Sequence, residues 1–235
     1  MSQELSPYEQ GKIILVDKPL TWTSFDVVKF VRNIIKAKVG HAGTLDPLAT
    51  GLLILCTGKF TKKIDTIQGM EKEYTGTIAL GATRPSYDKE TEIDERFDVA
   101  NIKDEDIISA AAAMCGPLEQ IPPKFSAKKI NGVPMYQLAR EGKDKHIELK
   151  SSAVHVYSFT VNNIRKAEDL LYLDFEIKCN KGTYIRSIAR DMGLALNSGG
   201  YLDSLRRTKI GEYKVEDAHT LEKIKAGSLS IRLPI

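Results

Sequence analysis

The chain has 235 residues, of which 42% are hydrophobic and 28% charged, and a formal net charge of +3. That length and balance exclude a short peptide or a disordered linker and fit a globular protein with a substantial core. A pI near 8.6 is too low for basicity alone to mark a nucleic-acid binder, and the longest apolar run, Leu52 to Cys56, is far too short to span a bilayer.

Met1 to Gly11 is polar with no basic cluster ahead of an apolar stretch, so no secretory signal is read there and a cytoplasmic location is expected. Ile13 to Val16 reads as a buried strand stopped by Asp17-Lys18-Pro19. Ser24 is placed as the cap of a helix over about 24 to 36, because Val27, Val28, Val31, Ile34 and Ile35 recur at helical spacing. Residues 40 to 52 follow, with two glycines before Asp46 and a proline directly after it. Glycine permits close backbone approach and proline fixes the outgoing direction, so Asp46 is a presented carboxylate. It suits a nucleophile, a general base or a metal ligand, and equally the cap of a helix beginning at Pro47.

Tyr74 to Gly81 predicts a strand, and the acidic stretch beyond it a solvated excursion. Ile107 to Cys115 predicts a short helix between Asp104-Glu105-Asp106 and Gly116-Pro117. Leu171, Leu173, Phe175 and Ile177 alternate with polar residues as one half-buried strand. From Tyr184 the period switches: Ile185, Ile188, Met192 and Leu196 share a helical face, with Arg186 and Arg190 on another. The elements interleave without βαβ spacing or repeats. The expected fold is therefore α+β, a mixed and largely antiparallel sheet flanked by helices, and residues 1–235 are expected to form a single domain.

Charge is unevenly spread. Residues 71 to 106 hold five basic and eleven acidic side chains, whereas residues 178 to 235 hold eleven basic and six acidic, and 121 to 150 carry a further net +4. A polyanion is expected along the middle and carboxy-terminal segments. Cys56, Cys115 and Cys179 are odd in number and unpaired in spacing, which reads as reduced core thiols, and His41, His146, His155 and His219 are scattered. No metal is expected. Thr57-Gly58-Lys59-Phe60-Thr61 fails as a phosphate loop, because Leu53 stands at the first glycine position and Phe60 at the hydroxyl position. No Gly-x-Ser-x-Gly elbow supports a hydrolase.

Gly40 to Leu53 matches each fixed position of Gly-His-x-Gly-x-Leu-Asp-Pro-x-Ala-x-Gly-Leu-Leu and so resembles the signature loop of the TruB family of tRNA pseudouridine synthases. Three more segments share the resemblance: Asp17-Lys18-Pro19 with Trp22-Thr23-Ser24, Gln120 to Gly132 with Ala139 to Gly142, and Lys181 to Ser187. Together it runs from about Gly11 to Thr220. The resemblance implies the pseudouridine synthase catalytic fold and an isomerase that makes pseudouridine at uridine 55 in the T loop of tRNA by flipping the base out of the RNA. It needs no cofactor, since uracil is detached and rejoined through carbon at the same oxidation level.

By the same resemblance Asp46 is the catalytic carboxylate, Arg186 the guanidinium that keeps it ionised, and Tyr74 the ring that stacks on the flipped base. Tyr184 and Leu205 line that pocket, and His41 helps fill the space vacated in the RNA loop. Lys18, Lys129, Lys181, Arg206 and Arg207 suit RNA phosphates. The expected partner is the tRNA T arm, with no membrane, no obligatory protein partner and a monomeric chain. No complete carboxy-terminal PUA module is expected before Ile235. Two alternatives are a guide-RNA-dependent ribosomal RNA pseudouridine synthase and a non-catalytic RNA-binding or folding protein. Gly81 to Asp88 departs from the family's commoner threonine-rich version.

Overall fold

The computed structural model describes residues 5–126, 132–143, 147 and 149–227, together with the backbone of 129–130. The chain divides into two compact units, one formed by residues 1–74 and 205–235 and the other by 75–204. It passes from one to the other within two strands. The fold is α+β, with largely antiparallel strand pairing and flanking helices.

The first unit opens with the short helix α1 (Pro7–Gln10), strand β1 (Ile13–Lys18), helix α2 (Ser24–Ile35) and strands β2 (Val39–His41) and β3 (Ala49–Thr57), then a 3-10 turn and helix α3 (Ile64–Gly69). β1 begins where the sequence predicts but continues through Asp17 and Lys18, stopping at Pro19. α2 has the expected length, but Thr23 caps it: its hydroxyl accepts from the Asp26 N–H at 3.0 Å, and the Asp26 carboxylate accepts from the Thr23 N–H. This reciprocal pair satisfies two donors at the helix start and releases Ser24 for another task. No helix begins at Pro47; residues 47 and 48 form a turn into β3.

β3 pairs antiparallel with β1 and β2, and both of its faces are covered. Ile14, Val16, Leu53 and Leu55 pack beneath α2, while Ile13, Leu15, Leu52, Ile54 and Cys56 pack against Ile67, Ile210 and Tyr213. A strand covered on both sides reads as a continuous apolar run rather than an alternation, which explains Leu52 to Cys56.

Strand β4 (Lys72–Leu80) carries the chain into the second unit, which contains the short strands β5 (Ala82–Thr83) and β6 (Glu95–Arg96), helix α4 (Asp104–Ala113), strands β7 (Gly116–Gln120), β8 (Lys129–Ile130) and β9 (Val133–Pro134), helix α5 (Met135–Arg140), strands β10 (Ser152–Ala167) and β11 (Leu170–Cys179), and helix α6 (Ile185–Ala195). Strand β12 (Gly200–Ile210) returns the chain to the first unit, which β13 (Tyr213–Lys214) and α7 (Leu221–Lys225) complete. In the second unit the strand order is β12-β4-β11-β10-β7.

β11 shows the predicted alternation, with Phe175 meeting Phe159 edge-on at 5.8 Å. The acidic excursion differs from expectation: Ser86 and Asp88 lie buried inside it. Of the three cysteines, Cys56 and Cys179 are core thiols, but Cys115 is exposed.

Candidate active site

In the first unit, β2 ends at His41 and β3 begins at Ala49, leaving Ala42 to Leu48 as a loop with Asp46 near its end. Buried side chains grip this loop from several directions. Ser24, 2% exposed, accepts from the Leu45 N–H at 2.9 Å and donates to the Leu45 carbonyl at 3.2 Å. Arg207, 1% exposed, donates through Nε to the Leu52 carbonyl at 2.8 Å, through Nη1 to Thr44 at 3.3 Å and through Nη2 to Gly43 at 3.1 Å. Gly43 has φ +92°, which a side-chain-bearing residue adopts only under strain.

On the far side of Asp46, the Lys18 ammonium donates to the carbonyls of Pro19 at 3.0 Å, Trp22 at 2.6 Å and Pro47 at 3.4 Å, and the Thr21 N–H donates to Pro47 at 2.8 Å. The Ala49 N–H closes the turn onto the Asp46 carbonyl at 3.1 Å. Positions 43, 44, 45 and 47 are thus fixed while Asp46 itself stays half-exposed. A partly exposed carboxylate on a fixed backbone can act on a bound molecule with little reorganisation.

The sequence reading placed Lys18 and Arg207 at RNA phosphates. The structure buries both and aims their donors at backbone carbonyls, so these cations brace the Asp46 loop from inside. Burial lowers the Lys18 ammonium to about 8, the negative charge of Asp46 being the largest opposing influence. Arg206 differs: it forms a two-pronged ion pair with Asp17, at 2.7 and 3.0 Å, and stays partly exposed.

His41 is half-buried, its Nδ1 enclosed without a hydrogen-bond partner. Burial holds the ring below its usual value, a backbone hydrogen bond with Gly43 opposing. Tyr74 stands third in β4 and is 9% exposed. Leu205 is half-buried and lies in parallel register with Ala49, at the end of the Asp46 turn.

In the second unit, Arg186 sits in the first turn of α6 and is 4% exposed. Its Nη1 donates to the carbonyls of Phe125 at 2.8 Å and Ser86 at 3.3 Å, and its Nε lies 3.7 Å from the Asp88 carboxylate, itself 5% exposed. Asp88 therefore fixes the arginine's orientation. It escaped sequence reasoning because it lies among surface acids, and its exceptional burial has no local sequence signal. Gln120, also buried, clamps the backbone of Tyr184 by accepting from its N–H at 2.7 Å and donating to its carbonyl at 3.1 Å. That clamp sets the start of α6. Lys181 is exposed; the side chain of Lys129 lies outside the described residues.

Among the described residues no helix is long and apolar enough to cross a membrane, and no group of three His, Cys, Asp or Glu side chains is placed to hold a metal ion.

Residues 32–185 match the model of the TruB family pseudouridylate synthase amino-terminal domain, and residues 186–232 that of the tRNA pseudouridylate synthase B carboxy-terminal domain. The tRNA pseudouridine synthase B of Flavobacterium johnsoniae is 49% identical over 90% of this chain and 93% of its own length. The protein of the same name from Chloroherpeton thalassium is 48% identical over 91% and 89%. Among solved structures, a chain of a Cbf5–Nop10–Gar1 complex superposes with a TM-score of 0.69 and 25% identity, covering 93% of this chain. This chain spans 55% of that longer one. With both family models matched in tandem and close relatives aligned nearly end to end, the chain belongs to the TruB family of pseudouridylate synthases.

Proposed function

We propose that this chain is a tRNA pseudouridine synthase that isomerises uridine 55 of the T loop, acting alone in the cytoplasm as a monomer. The observation that carries the reading is the Asp46 turn, whose neighbours are pinned by Ser24, Arg207 and Lys18 while Asp46 itself is half-buried rather than enclosed. The net reaction breaks the bond from uracil N1 to the sugar, forms one from C5 to the same carbon, and moves a proton from C5 to N1. Oxidation level is unchanged, so the chemistry asks for a carboxylate, a means of holding a flipped base and a route for one proton.

Asp46 supplies the carboxylate. Tyr74, Tyr184 and Leu205 offer ring and aliphatic surfaces for the base, with His41 at the RNA loop. Burial disfavours the charged form of His41, which suits packing against RNA. Arg186, locked by Asp88 and two carbonyls, completes the set. Lys181 and Arg206 retain the exposure that phosphate contact requires.

A guide-RNA-dependent synthase is the second reading, because an H/ACA RNP bound to a substrate RNA also matches in structure, at 25% identity. The relatives named tRNA pseudouridine synthase B are nearly twice as similar and match in length. Incubating the purified chain with an unmodified tRNA transcript, then mapping pseudouridine by mass spectrometry, separates the two. Conversion of uridine 55 without other components is expected; conversion only with added guide RNA and protein would select the second reading.

A further inference from the structure

A recess of about 400 Å³ opens beside α2 in the first unit, lined by Thr21, Trp22, Asp26, Lys29, Phe30 and Asn33. The helical members recur every three or four residues on a stripe distinct from the core-facing Val27, Val28, Val31 and Ile35. Trp22 and Phe30 meet edge to face, with ring centroids 5.8 Å apart and planes at 86°. Leu20 and Phe25, near Trp22 in sequence, are 54% and 61% exposed.

Exposed charge on and just after α2 is mostly basic. Lys29, Arg32, Lys36 and Lys38 are all exposed on or just after α2, against the single exposed carboxylate of Asp26. That carboxylate is engaged in the helix cap, accepting from the Thr23 N–H and hydroxyl. Aromatic walls with ammonium and amide groups at the rim fit a nucleotide: the base against the rings, the phosphate toward Lys29, with further phosphates along Arg32 and Lys36. The recess is also tied to the Asp46 turn, because Lys18 bonds the carbonyls of both Trp22 and Pro47 and the Thr21 N–H bonds Pro47.

We infer that this recess is a second nucleobase site, distinct from that of the reacting uridine, which captures an unpaired nucleotide of the bound tRNA. The inference rests on RNA being the substrate. Its size lies within the range of roughly 300–1,000 Å³ usual for small-molecule pockets.

Trp22 is the only tryptophan in the chain, so its fluorescence reports this recess directly. Titrating the full chain with unmodified tRNA transcript, and separately with oligouridylate, is expected to change Trp22 emission saturably. Lys29→Glu, on an exposed position, is expected to raise the KM for tRNA about tenfold while moving kcat far less, and Trp22→Phe to retain a KM that Trp22→Ala loses. If tRNA is bound and converted with Trp22 emission unchanged and the Lys29→Glu KM unaltered, the second site is overturned and the activity stands. If oligouridylate and tRNA both shift Trp22 emission but no pseudouridine forms, the site stands and the activity falls.

Discussion

Asp46 differs from an ordinary surface aspartate in what holds its neighbours. Ser24 Oγ gives Leu45 both a donor and an acceptor, and without them a buried N–H and carbonyl lose their partners, at a cost of about 1–3 kcal/mol for each unsatisfied group. Ser24→Ala is thus expected to lower stability by about 2 kcal/mol in urea melts and to reduce kcat more than it raises KM, because the carboxylate loses its fixed direction. A variant with kcat unchanged would show that the turn holds itself.

Lys18 carries a pH signature of the same support. Its folded value, about 8, lies below its ordinary 10.5, so between these pH values the unfolded chain binds a proton that the folded chain lacks. The Lys18 contribution to stability therefore rises with pH across that window and stays flat below it. Comparing urea midpoints with Lys18→Met at pH 7.5 and 10 is expected to show the difference moving in the wild type's favour; movement the other way contradicts the burial. The sequence displays Asp46, Lys18 and Arg207 alike as candidate site residues, with nothing to separate an accessible position from the two buried cations. Burial of a cation among carbonyls is a tertiary property with no local pattern.

At the scale of elements, the β3–β12 pairing carries the loop. Gly51 has φ +102°, and a Cβ there would stand 2.3 Å from the Arg207 carbonyl oxygen. Gly51→Ala combines backbone strain with a clash against strand backbone, so a loss of at least about 2 kcal/mol is expected, read as a drop in thermal midpoint together with impaired activity. Full stability in that variant would contradict the observed parallel register of Gly51 with Arg207.

Elements with strong periodicity were legible: β1, α2, β11 and α6 follow directly from apolar spacing. The errors have local causes. Thr23 outcompetes Ser24 as cap because Asp26 stands three residues later, a spacing present in the sequence. The turn after Asp46 is tertiary in origin, since the buried Lys18 Nζ and the Thr21 N–H converge on the Pro47 carbonyl. The excursion after β4 looked solvated because its acids outnumber its apolar residues, and only the structure shows Asp88 facing Arg186.

For the whole molecule, net charge says little and distribution says more. The positive segments, 121–150 and 178–235, are expected to give tRNA binding a salt dependence, with the logarithm of affinity falling linearly against the logarithm of salt concentration. Lys181→Ala is expected to reduce that slope by about one, leaving kcat nearly unchanged; an unaltered slope would remove Lys181 from the phosphate contacts. The family was legible in the sequence because its motif residues are those the chemistry and the loop geometry require. Chain-wide placement was not: segments far apart in sequence carry these residues, and only folding decides which become supports and which stay accessible. The decisive comparison is pseudouridine formation at uridine 55 by the Asp46→Asn variant, with tRNA affinity measured on the same preparation. Abolished formation with affinity within several-fold of the unaltered chain is the predicted result; formation at the unaltered rate would contradict the role of Asp46 in the reaction.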